Sequence, residues 1–383
     1  MGLSDMVARS AARHAHVLVV EVPGWWRTRA AVEHEVLARG WSLAFAPADA
    51  DVLVVCGEAG PGLAAAFKLV WHQMPGPRVR VDVRAYDDVA ACLDEAHRVL
   101  LDTDHHRHDA RHRPEAADLL LESGEGEVGE GAHGDTGHEG MDHGGGHEGM
   151  DHGDMDMAPG GIPLAEGGED RDGLEMDVLQ VRLGPVLPHW PAGLVLRCAL
   201  QGDVVTEARA ELLDGEPPRE EAPAPLARGL DNLASLLALA GWDDAAAEAR
   251  RIRDIALRDD GEPTAGRVER LRGRVRRSRT LRWSLRGVRP LSEEDVHRLG
   301  LPADAVGDTY DRLIGMLERA ATGDRPAPTG DEPHTGDGHR TPSPDRLAHL
   351  VTGLDVATAR LVVASLDLHG LSAGDNEHEM SHG

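Results

Sequence analysis

Over the first hundred residues, short apolar runs alternate with stretches of helical periodicity. Residues 16–22 (HVLVVEV) and 51–57 (DVLVVCG) are nearly continuous apolar runs, as expected of strands buried on both faces. Residues 78–84 (RVRVDVR) alternate apolar and charged positions, which predicts an edge or half-exposed strand. Between them, 27–39 and 62–73 carry helical spacing, and 87–101 reads as an amphipathic helix. This rhythm predicts a small parallel sheet covered by helices. The pattern then stops. Residues 103–172 are rich in Gly, His, Asp, Glu and Met and offer almost nothing to bury, so they read as a disordered linker.

Apolar patterning resumes near residue 174. Strands are predicted at 176–183 and 193–201, with 203–211 continuing the sheet as a hairpin. From 225 the period turns helical, at 226–240, 243–258, 265–279 and 304–321. Residues 344–371 predict a helix, a turn, a second helix and a short apolar end (VVASLDL). The expected plan has six parts. Residues 14–102 form an α/β domain and 103–172 a linker. Residues 173–321 form an α+β domain, a small antiparallel sheet with helices. Residues 322–343 are a second linker, 344–371 the C-terminal segment of the α+β domain, and 372–383 a disordered tail.

Composition narrows the function classes. The 383 residues fit two or three domains. Aromatic residues are only 3% of the chain, so its cores must rest on Ala, Val and Leu. The net charge of −27 disfavours nucleic acid and anionic membranes as partners. No run approaches the ~18 apolar residues of a membrane span, and residues 1–16 lack the apolar core of a signal peptide. A cytoplasmic protein without direct membrane insertion is the expectation. Three cysteines, Cys56, Cys92 and Cys198, form no CxxC pair. No phosphate loop, HExxH or GxSxG motif is present.

Longer stretches carry a resemblance. Residues 48–83 (ADADVLVVCGEAGPGLAAAFKLVWHQMPGPRVRVDV) resemble the small, cluster-bearing subunit of the complex I (NADH:quinone oxidoreductase) and nickel-iron hydrogenase superfamily. The shared features are the strand at 50–57 and the turn Met74-Pro75-Gly76-Pro77. The resemblance implies a flavodoxin-like domain, which in that family holds a cubane iron-sulfur cluster on four cysteines. The loop that would carry two of them reads Pro23-Gly24-Trp25-Trp26 here. The segment that would carry the third reads Ala85-Tyr86-Asp87-Asp88, and the Cys-Pro-Pro turn of the fourth is missing. No iron-sulfur cluster is therefore expected, and Trp25 and Trp26 are read as filling the volume.

The later part of the chain resembles the large subunit of the same superfamily. Residues 183–208 (LGPVLPHWPAGLVLRCALQGDVVTEA) match its opening sheet through Gly184, Pro185 and Pro188. The two family histidines fall on Leu187 and Pro191, with His189 between them. In 229–237 (GLDNLASLL), Asn232 stands where the family has a quinone-binding tyrosine. Residues 285–302 and 347–368 resemble later segments, and the end reads Leu366-Asp367-Leu368-His369-Gly370 without the nickel-ligating cysteines. The chain is thus read as a degenerate fusion of both subunit types, whose two units should pack on each other.

The resemblance implies a non-catalytic paralogue, an assembly, maturation or regulatory factor for a related redox enzyme. Its expected partners are hydrogenase or complex I-like subunits. The absent ligand positions argue against enzymatic activity, although a residual redox role as an oxidoreductase-like subunit stays open. The linker suggests an alternative, because GHEGMDHG occurs at 137–144 and again at 146–153. His138, Met141, His143, His147, Met150, His152, Met155 and Met157 offer imidazoles for nickel, zinc or copper and thioethers for copper. They point to weak metal binding and a metal-handling role, against the plainer reading of a solvated spacer. Ten arginines lie between Arg267 and Arg289. They are read first as pairing with this acidic chain's own carboxylates, and second as a docking face for an acidic partner.

Overall fold

The computed structural model describes residues 12–114, 166–169, 175–213, 215–216, 225–258, 264–299, 301, 303–322 and 344–368. Four parallel strands form the first sheet: β1 (His16–Glu21), β2 (Ser42–Leu43), β3 (Val52–Cys56) and β5 (Val79–Val83), in the order β2-β1-β3-β5. Every residue of β3 is buried, as its continuous apolar run requires of a central strand. The alternating β5 takes the edge, with Arg80 and Asp82 paired at its surface. Helices α1 (Trp26–Ala38), α2 (Pro61–Gln73) and α3 (Val89–Leu100) cover this sheet.

Residues 103–112, assigned to the linker by their composition, instead form helix α4 (Thr103–His112). Burial does not explain it, since none of its residues is buried. Polar anchoring does. The Asp102 carboxylate accepts from the Asp104 and His105 amides, an N-cap, and Asp109 receives both Nε and Nη2 of the buried Arg78. A hydrophobic pattern cannot register such a helix. Within the same expected linker, β6 (Glu166–Glu169) pairs with β7 (Glu175–Leu183).

The second sheet is an antiparallel meander of β6, β7 (Glu175–Leu183), β8 (Leu194–Gln201) and β9 (Val204–Leu212). Next to it lie α5 (Pro225–Leu239), α6 (Asp243–Arg258), α7 (Ala265–Arg277), α8 (Arg279–Leu285), α9 (Glu293–Leu299) and α10 (Thr309–Thr322). α5, α6, α7, α8 and α10 share one core built largely from Leu and Ala, with Leu230, Leu233, Leu237, Ala249, Leu271 and Leu313 inside it. The chain is thus a parallel α/β unit together with a separate antiparallel-sheet unit.

The C-terminal segment packs back on the second unit. Helices α11 (Pro344–Val351) and α12 (Val356–Ser365) bury Leu347, Val351, Val362 and Val363 against Leu194, Leu196 and Cys198 of β8. The VVAS run, read as part of a short apolar end after the second helix, belongs to α12. Asp355 caps that helix by accepting from the Thr358 amide, and the helix runs on through Ser365. Arg312 of α10 is buried and ties the ends together, donating Nε to the Ser365 hydroxyl and Nη1 to the Gly307 carbonyl.

The two units pack against each other. A two-residue strand of the first, β4 (Glu58–Ala59), pairs with β10 (Gly215–Glu216) of the second. Trp26 and Ala30 of α1 bury against Ala227 of α5, and Val186 and Leu213 of the second unit pack onto the core of the first.

Candidate functional site

The interface between the units holds a buried lattice of charge. Arg29, one turn into α1, donates Nε to Glu21 at 2.6 Å and Nη1 to Glu33 at 2.5 Å. Its Nη2 donates to Asp231 of α5, crossing from one unit to the other. Arg253 of α6 answers from the opposite side. It donates to Asp231 at 2.6 Å, to Glu33 at 2.8 Å and, through Nε, to its neighbour Asp254 at 2.9 Å. At the rim, His34 pairs with Asp254 at 3.1 Å. Only 1% of the Arg253 side chain and 4% of Asp231 is exposed, so these charges are compensated by each other rather than by water.

Proton affinities follow from that arrangement. Burial pushes the Glu33 carboxyl up, but Arg29 and Arg253 outweigh it and hold it below its ordinary value. Glu21 is also buried, and there Arg29 offsets only part of the desolvation, so its carboxyl stays raised. Burial would depress Arg29, yet Asp231, Glu33 and Glu21 hold its guanidinium firmly protonated.

Beside this lattice lies a cavity of about 180 Å³, lined from both units. Three positions that sequence reading ties to the large-subunit site converge on it: His189, Asn232 and Asp367. Asn232 donates to Asp367, whose other oxygen accepts from Arg319 at 3.1 Å. His189 and Asp367 both have left-handed backbones, with φ of 58° and 55°. Outliers of this kind tend to gather at ligand sites. The β7–β8 connection that carries His189 is fastened by Trp190 Nε1, which donates to the Leu194 carbonyl at 2.8 Å, and by Arg360, which donates to the Pro188 carbonyl at 2.7 Å. Phe45 of the first unit lies 6.0 Å from the His189 ring, centroid to centroid.

Burial lowers the His189 pKa from 6.5 to about 4, helped by the charges of Arg250, Arg29 and Arg360 and opposed by Glu33. Between those two values the unfolded chain binds a proton that the native chain refuses. Stability should therefore rise with pH from about 4 to about 6.5, by up to ~3 kcal/mol from this residue. Urea unfolding of the native chain and of His189→Asn, which tolerates the left-handed backbone, checks this. The variant should lose that part of the pH slope.

The residues present do not fit a cubane cluster. Such a cluster takes four thiolates, and the chain has three cysteines in all. Cys56 is buried at the end of β3, where desolvation pushes its thiol well up. Cys92 is half-buried on α3, and Cys198 lies in β8 of the other unit. In the loop where the resemblance puts two ligands, Trp25 packs over Gly57 within the first core, and Trp26 joins the interface.

His138, Met141, His143, His147, Met150, His152, Met155 and Met157 lie outside the described residues. Among the described residues no group of three or more His, Cys, Asp or Glu side chains is placed to hold a metal ion. No described helix is long and apolar enough to cross a membrane.

The arginine run divides its contacts. Arg272 and Arg276 reach Glu318, Arg267 reaches Glu248, Arg274 lies over Trp242, and Arg282 and Arg286 lie over Tyr310. Among these arginines Trp283 stands 83% exposed.

Sequence reading missed the lattice itself: Arg29, Glu33, Asp231 and Arg253. The available signal was charge at helix spacing inside faces that must be buried, such as Arg29 and Glu33 four apart on α1 and Asp231 between apolar residues of α5. No family model, no curated protein and no solved structure matches the chain.

Proposed function

We propose that this chain is a non-catalytic relative of the complex I and nickel-iron hydrogenase superfamily, acting as an assembly, maturation or regulatory factor for a related redox enzyme. The observation that carries this reading is the lattice of Arg29, Asp231, Arg253 and Glu33. It occupies the junction between the two units, the place where the resemblance puts a cluster and an active site. The all-parallel order β2-β1-β3-β5 supports taking the first unit as flavodoxin-like. In this reading the fold of the family is kept as a shape to be recognised, and its electron path is given up. The partners are then subunits of the related enzyme. The face of α7 and α8 suits them, because the exposed Trp283 among arginines offers an apolar anchor within a positive field in a chain whose net charge is −27.

The test is genetic. Cells lacking the gene should still make the catalytic subunits of the related enzyme but leave them unassembled on native gels. Re-expression of the chain should restore assembly. Re-expression of Trp283→Ser combined with Arg279→Glu, both at exposed positions, should fail to restore it while unfolding at the same temperature as the parent. Normal assembly in the deletion strain contradicts the reading.

A further inference from the structure

We infer that the cavity between the units is a binding site for a small organic anion, a carboxylate or phosphate on an aromatic or apolar body, with Arg250 as the cation that meets it. Arg250 projects from α6 into the cavity wall. Its Nε is closed off from solvent and has no hydrogen-bond partner among the described residues. Other arginines of the wall are answered: Arg29 and Arg253 by carboxylates, and Arg228 lies over the Trp26 ring. The nearby carboxylates Glu33 and Asp231 are already engaged by Arg29 and Arg253, so none is left over for Arg250. Leaving the Arg250 Nε–H buried without an acceptor is costly.

The surroundings agree. Arg360 of α12 also acts on His189. One of its Nη atoms is spent on the Pro188 carbonyl, and its buried Nε has no partner among the described residues. The charges acting on His189 are Arg250 from α6, Arg29 and Glu33 from α1 and Arg360 from α12, three cations against one carboxylate. With its imidazole kept neutral near pH 7, His189 can donate one N–H to an anion without adding a second buried charge. Phe45, Trp26 and Trp190 supply the apolar wall. At about 180 Å³ the space is comparable to the cavities of roughly 150 Å³ that hold a benzene ring. The inference does not depend on the assembly role and is tested on the isolated chain.

The experiment titrates the full chain, made without an affinity tag, with benzoate, with phenyl phosphate and with benzyl alcohol as the neutral control. Binding is read by calorimetry and by the imidazole resonances of His189. At least one of the two anions should bind ten-fold or more tightly than benzyl alcohol, and the tighter one names the carboxylate or the phosphate source. Binding should shift the His189 resonances and raise its titration midpoint, because an anion now sits beside it. Arg250→Gln should bring the anion down to the level of the alcohol, and Arg250→Lys should retain part of the preference. Both variants keep the circular dichroism of the parent. Equal binding of anion and alcohol, no anion binding at millimolar concentration, binding that leaves His189 unmoved, or undiminished binding by Arg250→Gln would each overturn the inference.

Discussion

Replacing Arg253 with methionine should destabilise the chain by about 3–5 kcal/mol at neutral pH, because it strands buried carboxylates without their cation. Arg253 is 1% exposed and holds Glu33, Asp231 and Asp254 at once. Methionine fills similar length, so lost packing is a small part of the effect. The pH dependence identifies the cause. In the parent, Glu33 is held below its ordinary pKa, so its contribution is full above the unfolded value and fades as pH falls through the folded one. In the variant the stranded carboxyls should rise above their unfolded values, so acid relieves them. The deficit should therefore be largest near neutral pH and shrink as pH falls. Urea unfolding at several pH values measures it. A deficit independent of pH would mean that packing, not charge, is what Arg253 supplies.

Gly184→Ala should cost about 3 kcal/mol or more and should disorganise the cavity as well. Gly184 has φ +91°, and a Cβ there would meet the Leu194 carbonyl oxygen at 2.1 Å and the Trp190 Nε1 at 2.6 Å. That carbonyl is the acceptor that Trp190 uses to fasten the loop carrying His189. The backbone cannot yield without losing the bond. The His189 titration, depressed to about 4 in the parent, should then move toward its ordinary value as the ring gains water. Denaturation gives the first number and imidazole resonances the second. A stable variant with an unmoved His189 would show that the loop is held by something other than this contact.

The strands were legible because burial leaves a period in the sequence. VLVVC is a central strand with both faces covered, and VRVDV is an edge strand with one. What the period could not reveal is structure held by polar groups. Helix α4 rests on the Asp102 cap and the Arg78–Asp109 pair and buries nothing. The lattice at the interface was hidden for the same reason. Arg29 and Asp231 are 202 positions apart, and a charge within an apolar face marks a buried group without naming its partner. His189, Asn232 and Asp367 could be placed near one another only through the resemblance, since nothing local in the sequence joins them. Arg250 left no signal, because only the folded chain brings it to the cavity wall.

If charge rather than a redox group holds the junction of the two units, the chain carries no cluster. Iron and sulfide analysis of the tag-free chain, purified without oxygen, tests it most directly, with a visible spectrum of the same sample. The protein should contain no stoichiometric iron or sulfide and show no broad absorbance in the blue. Four irons and four sulfides per chain, with that absorbance bleaching on reduction, would contradict this.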